Sequence, residues 1–299
     1  MSYLWRNFLK MIFRPPFLRA VAVYLAARVF KRGRGISDSF SERLPYPVMF
    51  KCPWARNSTP LERSSVAIVS VAGLFVKGQP PFDRHGLWGD FGYRVIHRDI
   101  PSQRYTAGDP TLDARLALLD QNMLCPVERL VELSHRGVIR EAARQHYSFA
   151  AFSARLGRVM DGSAKDVSRR LRYEGVDKAV ILPGSVLAQT VAGLVQRAIE
   201  EEGIPTVSLL YSPEAVRCLN PPRACLLAEG SLSKLEALLD PSAQLKLLRA
   251  LLDRFDAARS PGDFVRVFVD SESRPAPPSG RQPRSRDQVR MSSQGDLFQ

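Results

Sequence analysis

Histidine and cysteine are scarce in this chain, with four of each among 299 residues. Cys52, Cys125, Cys218 and Cys225 form no CxxC pair and have no histidine pair near them. That pattern excludes a disulfide framework and a zinc ribbon, and a reduced, cytoplasmic chain is expected. Long uncharged apolar runs are also missing. A spanning helix needs about 20 such residues, and the run FLRAVAVYLAARVF at 17–30 is interrupted by Arg19 and Arg28. With the basic KRGRG behind it, the run does not fit a secretory signal either. Two readings of it stay open: a helix packed on its own domain, or an amphipathic helix lying on an anionic membrane surface.

Charge is abundant and mostly of one sign. Lys and Arg number 43 against 30 acids, for a net charge of +13. Basic residues gather at the two ends, from Arg6 to Arg34 and from Arg274 to Arg290. In the middle they alternate with acids, as in RRLRYEGVDK, which reads as a solvated surface and not as a phosphate track. Nucleic acid is therefore not the expected partner.

The order of patterns divides the chain into three parts. Residues 1–63 form a basic, apolar extension followed by an irregular lead-in rich in Ser and Pro. Residues 64–270 hold the periodic segments. Residues 271–299, with PAPPSGRQPRSRDQ, are expected to be disordered. Within the core, SVAIVSVAG (65–73) and KAVILPG (178–184) read as buried parallel strands, YRVIHR (93–98) as a short strand, and VERLVELSHRG (127–137) as a helix with a glycine stop. SAKDVSRRLRYEG (163–175) is predicted to be a helix capped by its first serine. TVAGLVQRAIEEEG, IPTVSLL, PRACLLAE and AQLKLLRALLDRFDAA continue as helix, strand, strand and helix. The sum is an α/β fold: a mostly parallel, Rossmann- or flavodoxin-like sheet with helices on both faces.

In such a sheet, ligands bind beyond the carboxyl ends of the strands. PGSVLAQT, from Pro183 to Thr190, occupies that position between a strand and its helix. Ser185 is the candidate nucleophile there, but a serine needs a positioned base. The alternative is that Ser185 and Thr190 only cap the helix. The run His146, Tyr147, Ser148 is placed between a helix and a loop, and His146 is a candidate catalytic group. His85, His97 and His135 read as packing or surface residues. Cys125, next to a proline at a helix start, reads as packing.

An ordered set of segments resembles the selenoprotein B family of glycine, sarcosine, betaine and D-proline reductases. The set comprises VAIVSVAGLFVKGQPPFD, GDFGYRVIHRDIPS, DQNMLCPVERLVELSHRGVI, RQHYSFAAF, EGVDKAVILPG with QTVAGLVQRAIEEEGIPTVSL, and NPPRA. It covers roughly residues 64–258. The resemblance implies an oxidoreductase with a disulfide acceptor, acting on small amino acids or amines by reductive C–N cleavage. It also implies a Cys or selenocysteine in the strand-to-helix turn, followed by a second Cys and a His. Here the turn carries Ser185 and Ala188, and neither Cys nor His is in it.

Asp90, Arg94, Arg98, Asp99, Asp120, Asn122, Gln189 and Thr190 match the family's polar positions. Arg94 and Arg98, with His146, are candidates for pairing with a substrate carboxylate. The resemblance implies a pyruvoyl-bearing partner subunit or a homo-oligomer and a small carboxylate ligand; neither a cofactor nor a metal is expected in this chain. Because the thiol is missing from the turn, a non-catalytic carboxylate-binding or regulatory protein stays open as the alternative, with residues 1–35 as a peripheral membrane contact.

Overall fold

A computed structural model describes residues 46–83, 88–108, 120–227 and 238–268. The basic extension 1–35, His85 and the tail 271–299 lie outside the described residues. The strands are β1 (Ser65–Val71), β2 (Leu74–Val76), β3 (Tyr93–His97), β4 (Tyr105–Ala107), β5 (Glu141–Ala142), β6 (Gln145–Phe149), β7 (Lys178–Pro183), β8 (Thr206–Leu210), β9 (Arg223–Leu227) and β10 (Asp263–Val267). The helices are α1 (Val127–His135), α2 (Lys165–Tyr173), α3 (Gln189–Glu201), α4 (Pro213–Leu219) and α5 (Pro241–Ala257). No helix among the described residues is long and apolar enough to cross a membrane.

Eight strands form one sheet in the order β10-β9-β8-β7-β1-β6-β3, with β5 also pairing β1. Every pairing is parallel except that of β3 with β6. Reading β5 and β6 as one split strand, β6-β1-β7-β8-β9 is the 2-1-3-4-5 order of flavodoxin-like folds. β1 is the centre, and all seven of its residues are buried. Val66 and Ile68 join the cluster that packs α1 and α5 on one face. Ala67, Val69 and Val71 join the cluster that packs α2 and α3 on the other. Leu210, Ala224 and Leu226 extend that second face beneath α4. Burying each branched side chain of β1 contributes about 1.5–3 kcal/mol, so a continuous apolar run is what this position requires.

Two local expectations are corrected. His146, Tyr147 and Ser148 lie in β6, inside the sheet, not between a helix and a loop. Their polar character masked the strand, because serine and histidine on one face were not read as core. Ser163 does not cap α2. The helix begins earlier, with a turn at Leu156–Arg158, widens through a π turn at Val159–Ala164, and only then becomes α2. Ser163 lies inside that turn, and its hydroxyl donates to the Val159 carbonyl at 3.4 Å.

The lead-in is irregular but firmly held. Its described part runs from Tyr46, near the starts of α3 and α4, to the amino edge of the sheet. There the Ala55 N–H donates to Glu200 Oε2 at 2.5 Å, and Arg223 Nη2 donates to the Ala55 carbonyl at 2.8 Å. Trp54 stacks on the Arg223 guanidinium at 3.7 Å. Arg223 and Glu200 form a fully buried ion pair at 2.9 Å. Burial pushes the Glu200 carboxyl up and the Arg223 guanidinium down, so desolvation outweighs attraction for both partners. The Thr206 N–H and hydroxyl, at 2.6 and 2.7 Å, complete the carboxylate's bonds. Lys178, also buried, donates to the Thr59 carbonyl at 2.6 Å and to Asn57.

Replacing Arg223 with Met strands a buried carboxylate. Chemical denaturation should show a loss of about 3–5 kcal/mol. Replacing Arg170, whose pair with Asp166 is half exposed, should cost less than about 1 kcal/mol. Equal effects from the two substitutions would contradict the ranking.

Candidate active site

The chain leaves β1 for α1 on one face and β7 for α3 on the other. The two carboxyl ends therefore diverge and leave a crevice between them, the topological switch point where ligands bind in this class of fold. On one side the crevice is bounded by the antiparallel ribbon β2–β4. Gly73 makes that turn possible, with φ of 62°. Its carbonyl accepts from the Gly108 N–H at 2.8 Å, and a Cβ on Gly108 would lie 2.8 Å from that oxygen.

On the other side lies the turn from Pro183 to Gln189. The Gly184 N–H still donates to the Val71 carbonyl at 3.0 Å, so the turn begins in register with the sheet. Ser185 is half-buried, and its carbonyl accepts from the Ala188 N–H at 3.1 Å. The N-cap position of α3 is Ala188, which supplies no capping side chain. Thr190 therefore lies within the first turn of the helix and not at its cap, and the amides at the helix start carry partial positive charge.

Gln189 locks the turn. Its Nε2 donates to Tyr46 Oη at 2.7 Å and to the Val186 carbonyl at 3.1 Å, and its Oε1 accepts from the Tyr211 N–H at 2.7 Å. The Tyr211 hydroxyl returns to the Pro183 carbonyl. The exits of β7 and β8 are laced together in this way, with the lead-in tied to both. Tyr46 and Tyr211 had no signature in the sequence, since neither sits in a periodic segment or motif. Thr190 is half-buried on the first turn of α3.

The remaining candidates are distributed by the topology. Arg94 lies in β3 opposite Ser148. Its Nε, Nη1 and Nη2 donate to the carbonyls of Pro80, Tyr93 and Pro81 at 2.7–2.9 Å, and its plane covers Phe82 at 4.3 Å. Asp90 lies 3.7 Å away. Arg98 follows β3, at the amino edge of the sheet and opposite to Ser185. It donates to the Ala142 carbonyl at 2.8 Å and faces Asp99 and Glu141. Asp120 accepts from the Asn122 N–H at 2.9 Å and from Gln244 at 2.6 Å. Asn122 donates to Ser102 and Glu128 at 3.0 and 2.9 Å, joining the start of α1 to the loop before it. Both lie at the carboxyl edge, but on the α1–α5 face. Ser185, Gln189 and Thr190 are brought together, whereas Arg98 is carried to the far edge.

His146 is fully buried within β6. β5 and β6 are separated by two residues, and there the Ile68 N–H of β1 donates to His146 Nδ1 at 2.9 Å in place of a ladder carbonyl. Nδ1 is therefore unprotonated. Burial first, then the charges of Arg98 and His97, hold the imidazole down to about 3. The ring acts as a neutral acceptor that completes the sheet.

All four cysteines are described, and none is in a disulfide. None is in the β7–α3 turn. Burial pushes the thiols of Cys125 and Cys225 up to about 12. Cys52 and Cys218 are also raised by burial, and Cys218 further by the Glu214 carboxylate it donates to at 3.2 Å. No group of three or more His, Cys, Asp or Glu among the described residues is placed to hold a metal ion.

The chain is 30% identical over 171 residues to the D-proline reductase subunit gamma of Acetoanaerobium sticklandii, a match spanning 57% of this chain and 69% of that protein. The chain belongs to the selenoprotein B family of glycine, sarcosine and D-proline reductase subunits. It is also 27% identical over 188 residues to the glycine reductase complex component B subunit gamma of Peptoclostridium litorale. With the sarcosine reductase complex component B subunit beta of Peptoclostridium acidaminophilum, the identity is 26% over 179 residues. These two matches cover 61% and 58% of the chain but only 42% and 40% of those longer relatives. No family model and no solved structure matches the chain. Its relatives within the selenoprotein B family are components of multi-subunit complexes, as their names state.

Replacing Gln189 with Ala leaves the Tyr211 N–H without its partner and removes one partner of the Tyr46 hydroxyl. Urea denaturation should show a loss of about 2–3 kcal/mol, whereas Thr190→Ala should stay within about 0.5 kcal/mol. His146 gives a pH signature. Its folded pKa lies below the ordinary 6.5, so the unfolded chain takes the proton first. The stability present above 6.5 should fall by up to about 1.4 kcal/mol per pH unit as pH drops towards 3. His146→Gln should remove that component of the slope, and an unchanged slope would refute the neutral-acceptor assignment.

Proposed function

We propose that this chain is a subunit of an amino-acid reductase complex that keeps the family's substrate-binding scaffold and lacks the family's redox nucleophile. The observation that carries this reading is the β7–α3 turn. The family's chalcogen belongs there, this chain has Ser185, and every thiol it owns lies elsewhere and is raised. A serine oxygen cannot cycle through a disulfide, so the reductive step with a disulfide acceptor would have to be carried by another subunit.

Glycine, sarcosine and D-proline, after which the relatives are named, all carry a carboxylate. The start of α3, beside Ser185 and Thr190, is where this fold attracts one. Arg94 and Arg98 support the scaffold in this reading, because Arg94 is engaged with three main-chain carbonyls and Arg98 with the Ala142 carbonyl and the carboxylates of Asp99 and Glu141. His146 acts likewise, through Ile68. The role is then to bind and present a small amino acid or amine within the complex, with a pyruvoyl-bearing subunit as the partner that the family resemblance implies.

Ser185→Cys tests the reading. At the helix start the new thiol should have a lowered pKa and react with iodoacetamide faster than any native cysteine. The native chain, supplied with the partner subunit, should show no dithiothreitol-dependent cleavage of glycine, sarcosine, betaine or D-proline beyond that of the partner alone. Turnover that depends on the native chain and is abolished by alkylating one of Cys52, Cys125, Cys218 or Cys225 would overturn it.

A further inference from the structure

Among the described residues, the edge of the sheet at β10 is bare. β10 pairs β9 on one side, and no strand lies on its other side among the described residues. Strands of a parallel sheet are ordinarily buried on both faces, and β9 is buried throughout. In β10, by contrast, Phe264 is 40% exposed on the α4 face and Val265 is 37% exposed on the α5 face, and Phe268 just beyond is 74% exposed. The strand has no proline and no bulge, its one acid, Asp263, is held by Arg254 at 3.0 Å, and Arg266 is its one exposed charge. Proline, bulges and charges normally guard an exposed edge, and here a single arginine does so beside three exposed apolar side chains.

We infer that residues 17–30 of this chain cover the β10 edge, through the apolar stripe Leu18, Ala22, Leu25 and Val29. The stripe has helical spacing and leaves Arg19 and Arg28 off its centre. The tether is long enough. Tyr46 is fixed through Gln189 to the carboxyl end of β8, and β10 lies two strands away, about 10 Å. Fifteen residues separate Phe30 from Tyr46, a reach of about 50 Å. A stripe on the same chain meets the edge at a high effective concentration, which favours it over a second molecule. Residues 271–299 do not suit the task, since their Ser, Pro and Arg give no apolar stripe. The inference is independent of the reading of Ser185.

Hydroxyl-radical footprinting of the full chain, read by mass spectrometry, tests this directly. Tyr173, 94% exposed, is the internal standard. Phe264 and Phe268 should be oxidised several-fold more slowly than Tyr173, and Leu18→Asp with Leu25→Asp should raise both rates towards it. Rates equal to that of Tyr173 in the unaltered chain overturn the inference. Protection that survives the two substitutions overturns it too, and a dimer mass by light scattering would then assign the edge to a second copy. Should the substituted chain fail to fold, Leu25→Cys with Val265→Cys decides: mild oxidation should close an intramolecular disulfide, and its failure to form would sink the idea.

Discussion

The position of β1 in the sheet governs the rest of the molecule. A strand with parallel neighbours on both sides has each face covered by helices, and its two neighbours are reached by crossovers on opposite faces. β1 departs towards α1, and β7 departs towards α3. No side chain has to open the crevice between them, because the winding does so. The β2–β4 ribbon and the Pro183–Gln189 turn then only have to shape its walls. Ser185 is at the switch point for this reason and not because of any motif around it.

Buried polar groups fix what the apolar core leaves free. An apolar core tolerates sliding, since dispersion is non-directional, whereas Gln189, with three bonds to three segments, permits one arrangement of the β7 and β8 exits. Glu200 and Arg223 do the same at the amino edge, where they clamp Ala55 and Trp54. For both ions, burial costs more than their mutual attraction returns. Their contribution is therefore the specific seating of the lead-in, with stability depending on the pair staying complete. His146 belongs to this group, because it accepts an N–H that the gap between β5 and β6 would leave orphaned. Its membership in the reductase family and its place in the core do not conflict: a polar residue at a family position can be a fixture of the sheet.

Much of the architecture was legible in the residues. The runs SVAIVSV and KAVILP are apolar without alternation, which only a strand buried on both faces requires. The helix–strand succession after residue 189 left few topologies other than a parallel sheet. β6 was missed because QHYSF alternates serine and histidine with aromatics, a pattern that reads as surface until the neighbour strands are known. β10 was missed because DFVRV is short and carries charge. The capping of α2 by Ser163 failed because the helix had already begun a turn earlier. At the site, Ser185, Gln189 and Thr190 were identified by their position between a strand and a helix, whereas Tyr46 and Tyr211 come from segments with no periodicity.

The sequence by itself determined the fold class, the place of the strand-to-helix turn and the lack of a thiol in it, since each follows from local pattern and residue identity. Only the tertiary structure decided the work of the charged and polar side chains. It set Arg98 at the edge away from Ser185, turned Arg94 onto the carbonyls of Pro80 and Pro81, and enclosed His146 against Ile68. The physical reason is that a side chain's chemistry depends on its partners and its exposure to water. In a sheet ordered 2-1-3-4-5 those partners come from segments tens to more than a hundred residues away along the chain.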